Sequence, residues 1–163
     1  DLEEVFASRF NLGTFTWSDP IQITNSGYNK LYLSAIRDNI NFYHICFCEY
    51  ENNGYIVKYI NGYLSENKFN LKTSSYLSEP STCMYPELIK NNSKLLLSWV
   101  NYNKLFTCTS TNDGLTWSKP NIDEYSLEDN FIRSTFYSNY KDDLEYNISH
   151  VFSTLNDVGI LGL

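Results

Sequence analysis

The chain has 163 residues, 42% of them apolar, and a formal net charge of −7, with 12 Lys plus Arg against 19 Asp plus Glu. That apolar content suits one globular domain with a real core and excludes a disordered chain, and no apolar run approaches the roughly 18 residues of a membrane span. The acidic balance, with Arg9, Arg37 and Arg133 scattered and no Lys cluster, excludes a nucleic-acid binder, which needs a basic face against phosphate.

The chain opens on Asp1 with no signal-peptide pattern, which reads as a processed or excised piece. Residues 1–10, "DLEEVFASRF", place Leu2, Val5, Phe6 and Arg9 at helical spacing and predict a short, possibly helical leader. From residue 11 onward the chain consists of short β-branched and aromatic runs separated by Asn, Gly, Asp, Ser and Pro. The predicted strands are 30–37, 41–50, 55–60, 86–90, 94–102, 104–111, 131–138 and 144–154. The turns between them, "DNI", "ENNG", "NNS" and "NYKDD", are hairpin chemistry. The fold class is therefore all-β, built from antiparallel hairpins.

Four cysteines, Cys46, Cys48, Cys83 and Cys108, form no C-x-x-C pair, and His44 and His150 are the only histidines. That combination does not make a zinc site, and no other cofactor is indicated. Cys46 and Cys48 fall on one face of a strand and read as buried free thiols, with disulfides left open by the even count. Sequons at 91–93 and 147–149 are expected by chance in so Asn-rich a chain.

A repeat is visible. Thr16-Trp17-Ser18-Asp19-Pro20 returns one hundred positions later as Thr116-Trp117-Ser118-Lys119-Pro120, and "NKFNLK", with Phe69 in place of Trp, lies midway. A unit of about 50 residues fits a four-stranded propeller blade. By this count the chain holds the end of one blade, two complete blades and the first half of another, an incomplete ring of about three blades over residues 11–163. Missing residues or other chains would complete it.

The stretch Ser110-Thr111-Asn112-Asp113-Gly114-Leu115-Thr116-Trp117 resembles the Asp-box, or BNR repeat, S-x-D-x-G-x-T-W, of the sialidase-like β-propellers. The resemblance covers 84–122 well and the neighbouring units faintly. Asn112 stands where the family usually has Asp, and can make similar local bonds to the backbone. The resemblance implies that Ser110, Asn112, Gly114, Thr116 and Trp117 form a structural corner away from the ligand face. Gly114 supplies positive φ, Thr116 and Trp117 start the last strand, and the indole packs inward against the blade.

Sialidases, by the same resemblance, need three Arg on a carboxylate, a Tyr nucleophile assisted by a Glu, and an Asp acid/base. Arg37 ends one predicted inner strand and Arg133 opens another, which puts them at levels roughly 13 Å apart. Arg9 lies in the leader. Glu87, after Pro86, could point into a channel, so Arg37, Glu87 and Arg133 are the candidate ligand contacts; no catalytic residue is assigned. Asp142, Asp143 and Glu145 read as a solvated turn, and exposed Tyr or Trp could stack on sugars.

The leading expectation is a glycan- or surface-recognition propeller without intact catalysis, at an extracellular, cell or virion surface. Its partners would be a glycan or glycoprotein. The alternatives are part of an active sialidase or glycosidase, and a protein–protein scaffold in a phage tail fibre or parasite surface complex. "DLEEVFASR" also resembles short leaders of phage tail proteins.

Overall fold

The computed structural model describes residues 3–38, 41–91, 94–127, 131–135 and 150–154. Four short strands come first: β1 (Phe6–Ala7), β2 (Phe10–Asn11), β3 (Thr16–Trp17) and β4 (Ile21–Gln22). A four-stranded antiparallel sheet follows, β5 (Lys30–Arg37), β6 (Phe42–Glu51), β7 (Gly54–Leu64) and β8 (Phe69–Tyr76), each strand beside the next in sequence. A second sheet repeats this meander with β9 (Met84–Asn91), β10 (Lys94–Asn101), β11 (Lys104–Ser110) and β12 (Asn121–Ile122). A 3-10 turn (Glu124–Leu127) leads to the pair β13 (Phe131–Thr135) and β14 (His150–Thr154). Among the described residues there is no α-helix.

Residues 84–122 thus form the single sheet expected, with Asn112–Gly114 inside the link between its last two strands. The tight hairpins have a local cause. Asn52 and Asn53 have φ of 52° and 63°, and Tyr102 and Asn103 have 48° and 59°, the left-handed pairs that let two residues turn without splaying twisted strands.

The helix expected in residues 1–10 does not form over residues 3–10. Phe6 and Ala7 pair with Gln22 and Ile21, and Phe10 and Asn11 pair with Trp17 and Thr16. Backbone partners across the hairpin outcompete an isolated turn of helix, which has no tertiary support. This hairpin copies the last two strands of the second sheet at an offset of one hundred. Ser18 N donates to Arg9 O as Ser118 N does to Thr109 O. Arg9 N donates to Ser18 Oγ as Thr109 N does to Ser118 Oγ. Ile23 N on Val5 O likewise matches Asp123 N on Leu105 O.

The sheets stack face to face, and each seam has its own apolar cluster. Val5 and Ile23 meet Ile45, Phe47, Ile60 and Phe69 at the first seam. Cys46, Cys48, Val57 and Tyr59 of the first sheet meet Leu88, Leu95, Leu97 and Trp99 of the second at the next. Val100, Leu105, Met84 and Tyr85 meet Phe152 at the last. Both faces of β6 are therefore buried, which explains its unbroken apolar run: Ile45 and Phe47 point one way, Cys46 and Cys48 the other. All four cysteines are buried and free, which the alternation had suggested for Cys46 and Cys48.

Two expectations about the repeat need correction. Phe69 is not a copy of the aromatic corner. Ser65 N and Oγ both donate to Lys68 O, closing a short turn that delivers Phe69 directly into the ladder opposite Leu64. Trp117 does not start the last strand, which begins at Asn121; it lies half-buried at the seam, edge-on to Tyr59 at 4.8 Å between centroids. Trp17, its counterpart, is exposed.

Candidate functional site

The corner at 110–117 is a closed local hydrogen-bond system. Ser110 Oγ accepts from Gly114 N at 2.9 Å and Asn112 N at 3.4 Å, and donates to Asn112 Oδ1. Asn112 Oδ1 also accepts from Thr116 N, while its Nδ2 donates to Thr116 Oγ1. Asn112 thus serves the turn through its amide. Gly114 has φ of +80°, and a Cβ there would come 2.0 Å from Tyr59 Oη. Ser110 and Asn112 thus bond the corner's own residues, and Asp113 reaches the neighbouring sheet through Asn61.

Of the expected ligand contacts, Arg37 is exposed at the end of β5 and donates to Asn41 Oδ1. The Arg133 guanidinium lies over the Tyr85 ring at 5.2 Å. Glu87 is 4% exposed, opposite Ser98 in the ladder and near Cys46, inside the protein instead of along an open channel. A β-bulge at Tyr85-Pro86 opposite Trp99 re-aims the start of β9, and Glu87 follows it inward. Asp142, Asp143 and Glu145 lie outside the described residues.

A cleft of about 580 Å³ lies elsewhere, at the end of the first sheet carrying the β6–β7 turn. Its wall and floor are Glu51, Asn52, Ile56, Tyr76, Leu77 and the stretch 78–80, with Pro120 opposite. The link 77–83 is fastened to β7. Tyr55 N donates to Ser81 O at 2.8 Å, Ser81 N returns to Tyr55 O at 3.0 Å, and Ser78 Oγ accepts from Val57 N. A Cβ on Gly54 would sit 2.7 Å from Ser81 N, so only glycine lets turn and link approach this closely. Tyr76 is 55% exposed, with Lys58 Nζ 4.8 Å from its ring centroid. Glu51 Oε2 is buried at this wall with no hydrogen-bond partner among the described residues. An aromatic ring, two carboxylates, Glu51 and Glu79, an amide and the apolar Ile56 and Leu77 thus line one cleft.

Two polar networks brace the seams, one near the cleft and one toward the other end of the first sheet. Glu49, fully buried, accepts from Lys58 Nζ at 2.6 Å and Ser26 Oγ at 2.6 Å, and pairs with Lys30 at 3.4 Å; Lys30 also pairs with Glu4 at 2.8 Å. Burial works to raise Glu4, but bonds from Lys30, Thr24 and Gly27 outweigh it and hold the carboxyl at about 2. Glu49 is lowered by the same balance. At the second seam His44 Nδ1 lies 2.7 Å from Tyr59 Oη, and its Nε2 is 3.3 Å from Lys90 Nζ. Lys90 is also 2.9 Å from Asp113 and 3.4 Å from Asp38. Burial, helped by Lys90 and opposed by Asp38 and Asp113, pushes His44 down to about 4. Burial also pushes up every cysteine thiol, Cys108 to about 12, so none is a ready nucleophile. Among the described residues no group of His, Cys, Asp and Glu could hold a metal ion.

The chain matches no family model, no curated protein and no solved structure. The cleft residues had only a weak sequence signal: Glu51-Asn52 belongs to a turn motif, and Tyr76 to a polar stretch.

Proposed function

We propose that the chain is part of a sialidase-like β-propeller that recognises glycans at an extracellular, cell or virion surface, without glycoside turnover. Support for the blade assignment comes from the two meander sheets stacked face to face and from the Ser110–Trp117 corner with its Asp-box resemblance. The observation that carries the recognition reading is the cleft that exposed Tyr76 lines together with Glu51 and Glu79. A sugar stacks its apolar face on a phenol ring and donates its hydroxyls to carboxylates at the cleft surface.

The charge of the cleft selects within glycans. Glu51 and Glu79 disfavour a carboxylate ligand, and no Arg lines the cleft, so neutral or amino sugars suit it better than sialic acid. A glycan array followed by titration of the best ligand tests this. Neutral glycans should bind, weakly per site, and Tyr76→Ala and Glu51→Gln should each weaken them at least tenfold. Turnover of a fluorogenic sialoside, abolished by Arg133→Ala, would replace recognition with sialidase activity.

A further inference from the structure

The recognition reading turns on the Tyr76 ring, 55% exposed on β8, the last strand of its sheet. A solvent-facing phenol ordinarily exchanges rotamers, and a ligand that stacks on it must first immobilise it. Here the ring has an anchor. Tyr76 lies directly opposite Lys58 in the β7–β8 ladder, so both side chains rise from one face of the sheet. Lys58 Nζ stands 4.8 Å from the ring centroid and 3.4 Å from Tyr76 Oη. It also donates to Glu49 Oε1 at 2.6 Å, and Glu49 is fully buried, held in turn by Ser26 Oγ and Lys30. Burial works to lower Lys58, but the Glu49 bond outweighs it and raises the ammonium, so the cation against the ring stays charged.

An exposed lysine usually contributes little, because ordering its long chain costs rotamer freedom and water screens its charge. At Lys58 the buried carboxylate already fixes the ammonium, and the ring docks on a charge that is in place. A cation over one face of a phenol ring leaves the opposite face open. The cleft wall continues on the same side of the sheet: Glu51 is two residues from Glu49 on β6, and Ile56 two from Lys58 on β7. We propose that Lys58, clamped by Glu49, is a positioning residue for recognition at this cleft: it holds the Tyr76 ring by one face and presents the other to the apolar face of a neutral sugar. The inference rests on the recognition reading above and adds to it the residue that prepares the ring. A ring already immobile gives up no freedom when the sugar arrives, an advantage of about three- to tenfold in affinity. Glu49 acts one step further back, by holding Lys58.

Titration of the best-binding neutral oligosaccharide of the glycan array, with NMR of protein labelled in its tyrosine rings, tests the inference. Lys58→Met should weaken binding by about three- to tenfold. Lys58→Arg, which keeps a cation for both Glu49 and the ring, should restore most of it. The Tyr76 ring signals, assigned by their absence in Tyr76→Ala, should move toward random-coil positions in sugar-free Lys58→Met and stay near their original ones in Lys58→Arg. Because Lys58→Met takes a partner from the buried Glu49, the double variant Lys58→Gln with Glu49→Gln is a second probe. It keeps a hydrogen-bonding pair without charge, leaves Lys30 with Glu4, and should show the same loss and the same ring shift. Equal or tighter binding without the cation would overturn the positioning role while recognition stands. So would a loss that Lys58→Arg does not restore, or ring signals indifferent to the cation. Failure of the unsubstituted chain to bind any neutral glycan would overturn the recognition reading, and this inference with it.

Discussion

Gly114 and Tyr59 occupy each other's only available space: the phenol oxygen of the first sheet sits where a Cβ on the second sheet's corner would project, 2.0 Å away. The corner is thus a joint between sheets as well as a turn within one. Asn61, which bonds both Tyr59 Oη and Asp113 O, ties the two functions together.

Gly114→Ala should destabilise the fold by about 2–4 kcal/mol, combining the left-handed backbone penalty with overpacking at the seam. Urea unfolding measures it. A loss below about 1 kcal/mol would mean the two sheets are not joined at this point.

The three tryptophans should separate by burial. Trp99, 1% exposed and stacked on Phe106, should cost about 3–5 kcal/mol as Ala. Half-buried Trp117 should cost less, and exposed Trp17 close to nothing. The order of unfolding midpoints checks this. Equal losses at Trp17 and Trp117 would contradict the description of Trp17 as solvent-facing.

His44 makes stability fall on mild acidification. Its folded value, about 4, lies below the ordinary 6.5, so the unfolded chain binds the proton more readily. The contribution is fully present above about pH 6.5 and is lost as pH falls toward about 4. His44→Gln should flatten that part of the profile while keeping a polar partner for Tyr59. A profile unchanged by the substitution would place the titration elsewhere.

Glu4 and Glu49 act at lower pH. Both are depressed, so their contribution is present above the ordinary 4.5 and disappears as pH falls toward the folded value, about 2 for Glu4. Because Lys30 links Glu4 to Glu49, the hairpin of residues 5–23 should loosen before the sheets separate. Amide exchange below pH 4 reads this order. Simultaneous loss of hairpin and sheets would contradict it.

Much of this architecture was legible because its causes are local. The run at 41–50 announced a strand with Cys46 and Cys48 on one face, and Ser110, Asn112 and Gly114 announced a corner whose bonds lie within seven residues. β8 was not legible as a strand run: "FNLKTSSY" has little apolar alternation, and β7 recruits it through the ladder from Leu64–Phe69 to Lys58–Tyr76. The helix expected at 1–10 was suggested by Val5 and Arg9, which do face inward, but toward Ile45 and toward the carbonyls of Leu64 and Ser65, from positions that flank the short strands β1 and β2. The cleft escaped because Glu51 and Tyr76 are distant in sequence and are brought together by the β6–β7 and β7–β8 ladders, with the Tyr55–Ser81 bond pair fastening the link beside them. Buried Lys30 and Glu49 carry no periodic signal, since each is tolerated only through a partner on another strand or loop.

Glycan recognition at the Tyr76 cleft is tested most directly by calorimetric titration of a neutral oligosaccharide, selected on an array, into the chain and into Tyr76→Ala. The account predicts saturable binding to the first, a loss of at least tenfold in the second, and an unchanged unfolding midpoint in the variant. Equal binding by both proteins, or a preference for sialosides over their neutral cores, would contradict it.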